Sequence, residues 1–255
     1  MRKTLRSFLR SIGVNVVPGY RLTLLELLRF RIHLLGPASP LRIYGWWRHN
    51  LRRLVPSQRF LEASLDDLNA TYPGKVDRQI MVIEALRNVA ELRGAVVELG
   101  VHRGHTAIHL AKTMQDLGDT SRLYLFDSFQ GLPENEGVWK QGDLLADPDE
   151  VTRRFQQFPH VTIVPGLFAE TLPNLPQMPV KLAHVDADLY HSTKDANGWL
   201  LDRVVPGGII IYDDYGFSTT PGVKQAVDED FKPRSDYHRF YLPTGQLLPI
   251  KVPPP

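Results

Sequence analysis

Apolar positions set the first division of the chain. From 76 to 92, Val76, Ile80, Ile83, Leu86 and Val89 recur every three or four residues, the spacing of one helix face. Beyond that stretch, short apolar runs rich in β-branched residues alternate with helical patterns. Strands are predicted at 95–99, 122–126, 161–164, 180–185 and 208–212. Helices are predicted at 104–117, 149–158, 192–201 and 221–231, the last opened by Pro221 in its first turn. The tail, 237–241 and 246–252 around a Pro-Thr-Gly turn, reads as an antiparallel hairpin. Alternating strands and helices imply parallel βαβ units, hence an α/β, doubly wound sheet with helices on both faces. Ligands in such sheets bind beyond the carboxyl ends of the strands.

Ahead of residue 76 the pattern differs. Residues 1–75 read as helical and irregular, broken at Pro18, Gly36-Pro37, Pro40, Pro56 and Pro73-Gly74. The chain therefore divides into an N-terminal extension, 1–75, and a domain, 76–255. Charge sharpens the division. Residues 1–60 hold 12 Lys or Arg and one acid, Glu26, a net +11; the whole chain is +2, so the remainder is −9. A polybasic arm on an acidic body suits an anionic membrane surface, nucleic acid or the acidic face of a partner subunit. A solvated or dimer-forming cap is the plainer reading. The expectation taken forward is a homo-oligomer without a nucleic-acid partner, peripheral membrane contact through the arm staying open.

The apolar stretch 22–35 is interrupted by Glu26, Arg29 and Arg31 and is too short to span a bilayer. Arg6 and Arg10 break the apolar run that a signal peptide needs. A cytoplasmic location is expected. The chain has no cysteine, which excludes disulfides, thiolate metal sites and a Cys nucleophile. Any metal must be held by oxygen or imidazole.

Candidate chemistry falls just after the strands. The first runs into Glu98-Leu-Gly100-Val-His-Arg-Gly104-His-Thr106. Two glycines at a strand-to-helix turn let the backbone approach a ligand closely, with a helix N-terminus aimed at it. The third glycine of a dinucleotide fingerprint is absent, and Glu98 suits the ammonium of an amino-acid moiety better than a pyrophosphate. The second strand ends at Asp127-Ser128, 29 residues after Glu98, where an acid is placed to accept from a ribose hydroxyl pair. Nicotinamide dinucleotides and S-adenosylmethionine both carry such a ribose; Glu98 and the missing phosphate cradle favour S-adenosylmethionine.

Farther along, His184-Val-Asp186-Ala-Asp188 and Asp213-Asp214 bring four carboxylates to neighbouring strand ends. They would repel one another without a cation between them, and hard oxygen ligands suit Mg2+, less well Mn2+ or Ca2+. Alternation along an extended strand puts Asp186 and Asp188 on one side, one for metal and the other for substrate. His184, inside the strand, reads as a packed core residue. His102 and His105 line the cofactor turn.

These blocks resemble a known family. V-V-E-L-G-V-x-R-G, F-D-S-F-x-G-L-P-E, H-V-D-A-D-L-Y-x-S-T-x-D-A and P-G-G-x-I-x-x-D-D-Y, spread over residues 75–232, are similar to the macrocin O-methyltransferases. The resemblance implies a Rossmann-like class I methyltransferase fold, assembly into dimers or larger oligomers, and methylation of sugar hydroxyls with S-adenosylmethionine and Mg2+. It implies metal ligation by Asp186, Asp213 and Asp214, with Asp188 as general base. It implies cofactor contacts from Glu98 and Gly100, in the turn that also holds Gly104 and Thr106, and from Asp127 and Ser128 at the end of the second strand. The segment through Trp139 and Asp143 resembles a lid. The first 60 residues match nothing in the pattern.

In the expected mechanism, metal coordination lowers the pKa of an acceptor hydroxyl and Asp188 takes its proton. His191, three residues on, is the rival base, with the better matched unperturbed pKa. The acceptor is expected to be a hydroxylated small molecule, glycosylated or otherwise polyhydroxylated. A catechol-type phenolic methyltransferase and a non-catalytic membrane- or partner-binding protein of the same fold are the alternatives.

Overall fold

The computed structural model describes residues 76–253. The expectations for the extension, 1–75, lie outside the described residues. The described chain opens with helix α1 (Val76–Asn88), then strand β1 (Ala95–Leu99), α2 (His105–Leu117), β2 (Leu123–Asp127), α3 (Pro148–Phe155) and β3 (Val161–Pro165). A short helix, α4 (Phe168–Thr171), runs into a 3-10 turn (Leu172–Asn174). Then come β4 (Val180–Val185), α5 (Tyr190–Leu200), β5 (Val204–Tyr212), α6 (Pro221–Phe231), β6 (Tyr237–Tyr241) and β7 (Leu247–Lys251).

The seven strands form one sheet in the order β3-β2-β1-β4-β5-β7-β6. The first five are parallel, and the β6–β7 hairpin adds antiparallel to β5. This is the doubly wound, mostly parallel sheet that the alternation predicts, with the hairpin at its end. Between β1 and β4 the strand order reverses, and the crevice beyond their carboxyl ends is where such a sheet binds ligands.

Burial explains the composition of the strands. β1 and β4 lie in the middle, covered on both faces, and all their residues are buried, which makes them apolar apart from Glu98, Lys181 and His184. β3, at the edge, is only half-buried. On one face Val97, Leu99, Ala183, Val185, Ile210 and Tyr212 pack against α5 and α6 through Trp199, Val223, Val227 and Phe231. On the other, Val96, Leu182, Ile209 and Ile211 meet Leu86, Leu110 and Met114 of α1 and α2. Strand alternation sends Glu98 and its register partner His184 to this second face. At the carboxyl edge the apolar row beneath α1 thus ends in polar residues.

Three local expectations change. β5 begins at Val204, not at 208: Pro206-Gly207-Gly208 is a bulge inside the strand, since Val180 pairs with Val204 while Leu182 pairs with Ile209. α5 starts at Tyr190 rather than 192. β4 ends at Val185, and Asp188 has φ +58. Asp186 and Asp188 are therefore loop residues, and a left-handed turn, not strand pleating, brings them together. Helix α4 was not anticipated, because four residues are too few for periodicity to register.

Candidate active site

The loops beyond β1, β2, β4 and β5 are tied in a staircase of backbone hydrogen bonds. Gly100 N donates to Phe126 O (2.9 Å), Asp186 N to Leu99 O (2.8 Å) and Asp213 N to Val185 O (2.9 Å). Each loop starts from a position fixed by the strand beside it. These loops surround a cavity of about 610 Å³, within the range of small-molecule sites. Among the described residues, the four non-glycine residues with positive φ, His102, Phe129, Leu144 and Asp188, lie in loops at this edge, where backbone strain commonly accompanies function.

At the β1–β2 side, Gly100, Thr106, Asp127 and Ser128 line the cavity. Gly100 has φ +96, and a Cβ there would overlap the carbonyl oxygen of Asp186. Only glycine lets the first turn pass so close to the loop carrying the aspartates. Gly104 has φ +75 and precedes α2; a Cβ there would lie 2.8 Å from the Phe155 ring, and the residue is not part of the cavity wall. The Asp127 carboxylate accepts from His102 N and Phe129 N, both at 2.7 Å. It keeps acceptor capacity for a further donor. Ser128 Oγ donates to Gly131 O (2.9 Å) and accepts from Gln130 N (3.1 Å). His102 and His105 also line the cavity, and burial followed by neighbouring arginines holds both below the usual imidazole range.

Glu98 is 2% exposed, with Oε1 3.1 Å from His184 Nδ1. Oε2 is enclosed and has no hydrogen-bond partner. Burial pushes this carboxyl up, against the pull of His184. His184 itself is raised well above its ordinary value: burial opposes the charge, but Asp213 and Glu98 on its two sides outweigh burial. The residue read as core packing is thus a buried ionisable link between Glu98 and Asp213.

The carboxylates converge in two overlapping groups. Ligating atoms of His184, Asp186 and Asp213 lie within 4.8 Å of one another, and so do those of Asp186, Asp188 and Asp214. Asp213 Oδ2 is 2.8 Å from Arg78 NH2, and its Oδ1 accepts from Gln246 Nε2 at 2.7 Å. Asp214 Oδ1 is 3.3 Å from Arg78 NH1. Asp214 Oδ2 is enclosed without a partner. The Asp214 carboxyl is raised well above the carboxylate range by burial, then by Asp186, Asp188 and Asp213.

This donor set fits a hard divalent cation: three carboxylates within reach of one another, one presenting a buried oxygen that nothing in the protein satisfies. The ligand set implied by the family resemblance, Asp186, Asp213 and Asp214, spans both groups, and Asp213 already shares its charge with Arg78. His191 stands apart. Its side chain is 72% exposed, its Nδ1 is 2.8 Å from Glu134 Oε1, and it is not part of the cavity wall.

Sequence reasoning missed Arg78 and Gln246. Arg78 reaches the aspartates from α1, 135 residues earlier, and its guanidinium also lies 4.8 Å above the Phe217 ring. No spacing in the sequence joins these positions. His184 carried a usable signal, an ionisable residue near the carboxyl end of a buried central strand.

A family model for macrocin-O-methyltransferases (TylF) matches residues 75–239. The chain is 35% identical over 138 residues to 8-demethyl-8-(2,3-dimethoxy-alpha-L-rhamnosyl)-tetracenomycin-C 4'-O-methyltransferase of Streptomyces olivaceus, covering 48% of this chain and 53% of that protein. It is 34% identical over 153 residues to demethyldecarbamoylnovobiocin O-methyltransferase of Streptomyces niveus, covering 53% and 57%. The chain thus spans little more than half the length of the curated relatives it matches. Among solved structures, the O-methyltransferase NovP superposes with a TM-score of 0.61 at 26% identity, over 70% of this chain and 81% of that one. The calicheamicin methyltransferase CalS11 shares the fold, with a TM-score of 0.62 at 17% identity over 91% and 94% of the two chains.

Proposed function

Because the chain belongs to the macrocin-O-methyltransferase family, we propose that it methylates a hydroxyl of a sugar or other polyhydroxylated small molecule, using S-adenosylmethionine and a divalent cation, Mg2+ or Mn2+. The observation that carries this reading is the convergence of Asp186, Asp188 and Asp214 in the cavity that Gly100 and Asp127 also line.

S-adenosylmethionine supplies an electrophilic methyl on a sulfonium. Asp127 and Ser128, with the turn from Gly100 to Thr106, are the residues to hold it, and the unpartnered Oε2 of Glu98 suits its ammonium. A bound divalent cation would lower the pKa of a coordinated hydroxyl and fix its approach. Asp186, Asp213 and Asp214 are the proposed ligands, Asp213 sharing its carboxylate with Arg78. Asp188 then accepts the hydroxyl proton as general base. The exposed position of His191, bonded to Glu134 and outside the cavity wall, favours Asp188 over it. Trp139 and Phe217, from loops, form part of the cavity wall.

The acceptor class draws support from the rhamnosyl acceptor in the name of one relative. A homo-oligomer is part of the same proposal, as is peripheral contact of the basic arm, residues 1–60, with an anionic surface. Among the described residues no helix is long and apolar enough to cross a membrane.

The test is calorimetric titration with S-adenosylmethionine in MgCl2 and in EDTA, then mass spectrometry of acceptors incubated with protein, cofactor and Mg2+. Binding, and a rhamnosylated acceptor heavier by one methylene, are expected. No cofactor binding in either buffer would sink the proposal. Transfer to a catechol but not to a vicinal sugar diol would replace the acceptor class, and binding without any transfer would favour the non-catalytic reading.

A further inference from the structure

The segment between β2 and α3 is folded on itself. Leu132 N donates to Asp143 O (2.8 Å), Gly142 N to Leu132 O (2.9 Å), and Glu136 and Trp139 form a bridge. This flap carries Trp139 to the cavity wall, where the indole Nε1 is enclosed without a hydrogen-bond partner. Two acids of the flap reach the start of α5. Glu134 meets the exposed His191, and Glu136 Oε2 accepts from Tyr190 N at 2.8 Å.

Helix α5 begins Leu189-Tyr190, and its capping position has no side-chain hydrogen bond. A Leu cannot satisfy the free amides of a first turn. Glu136 does so from 54 residues upstream. Its other oxygen, Oε1, is enclosed, bonded to nothing, and pressed against Gly222 in the first turn of α6, where any Cβ would overlap it. One carboxylate therefore sits where two helix N-termini meet, and both dipoles favour its charge. Asp188 lies two residues before Tyr190.

We propose that Glu136 is a positioning residue: it latches the flap to the first turns of α5 and α6, holding Trp139 at the cavity wall and bracing the loop that carries Asp188. The role in transfer rests on reading the cavity as a methyltransferase site; the latch itself does not. Gly222 is the matching half. Alanine in a helix ordinarily raises helix stability over glycine, but here its methyl would overlap the carboxylate and lie 2.8 Å from Tyr190 Cβ, so it would push on both sides of the latch.

The test uses the full chain without added ligand. Cleavage by trypsin after the exposed Lys140 in the flap is timed in wild type, Glu136→Ala, Glu136→Gln and Gly222→Ala, together with hydrogen exchange at the Tyr190 amide. That amide has no acceptor within its own helix, so its protection reports the latch. Glu136→Ala and Gly222→Ala should each speed the cut about tenfold and expose Tyr190, with Glu136→Gln, which keeps an acceptor, in between. Thermal midpoints near wild type would mark the opening as local. Rates within about twofold of wild type in folded Glu136→Ala and Gly222→Ala would overturn the latch. Should Glu136→Ala not fold, Gly222→Ala and Glu136→Gln decide. With no cofactor present, failure to bind S-adenosylmethionine would leave this result standing, and loss of the latch would leave the proposed reaction standing.

Discussion

Arg78 NH2 lies 2.8 Å from Asp213 Oδ2, joining the first turn of α1 to the loop after β5 across a buried contact. The same guanidinium reaches Asp214 at 3.3 Å and is held further into its charged form by Asp213, Asp186 and Asp214, against the cost of burial. The protein thus supplies one fixed cation to a cluster proposed to take a second from solution.

Replacing Arg78 with Met should therefore lower stability by about 3–5 kcal/mol, the usual consequence of stranding one side of a buried ion pair. Thermal unfolding in EDTA should show the full loss. MgCl2 should restore part of it if the carboxylates bind the ion, through the linkage of ligand binding to folding. No rise of the midpoint with MgCl2 in either wild type or the variant would argue against a metal at these residues.

Asp188 and His191 separate in a direct comparison. Asp188→Asn should lower transfer by about 100-fold or more, the span of a lost general base. His191→Ala should stay within about threefold, because its imidazole bonds to Glu134 on the surface. Initial rates at saturating S-adenosylmethionine check both, and the reverse order would move the proton transfer to His191.

Gly100 and Gly118 test whether the first turn is shaped by a neighbouring backbone or by chain conformation alone. Both have positive φ, but a Cβ at Gly118 meets nothing within 4 Å, whereas at Gly100 it overlaps Asp186 O. Gly118→Ala should cost about 1–2 kcal/mol, the left-handed penalty. Gly100→Ala should cost more than that and weaken Mg2+ binding by shifting Asp186. Urea unfolding and metal titration of the two variants make the comparison.

At the opposite end of the sheet, the fully buried Lys181 bonds to Asp119 Oδ2 at 2.7 Å. Burial would raise the Asp119 carboxyl, but Lys181 and Ser121 outweigh it and hold the group below its ordinary value. A depressed folded-state pKa gives stability that is present above the unfolded value, about 4, and lost as pH falls through the folded value. The thermal midpoint should therefore fall more steeply on acidification below about pH 4 in wild type than in a Lys181→Met/Asp119→Leu double variant. Lys181→Met alone should be worse than the double at neutral pH, because it leaves Asp119 buried and unpaired. Equal slopes would show that the pair has no net linkage.

The sequence by itself determined the strand–helix alternation, the parallel sheet with its terminal hairpin, and the placement of Gly100, Asp127, Asp186 and Asp214 at or just beyond strand ends. These follow from periodicity and from the topology that alternation enforces, both local in the chain. What only the tertiary structure decided depends on contacts between distant segments. Arg78 meets Asp213 because α1, packed on one face of the sheet, brings its first turn to the carboxyl edge. Glu98 and Asp213 flank His184 because strand register puts them on one face, and a left-handed turn at Asp188 replaces the expected pleat. Glu136 caps α5 because Leu189 cannot; the sequence pattern starts that helix at 192, so neither the vacancy nor the residue that fills it is legible there. A carboxylate's partner is set by which backbone ends converge in space, and spacing along one chain carries no record of that.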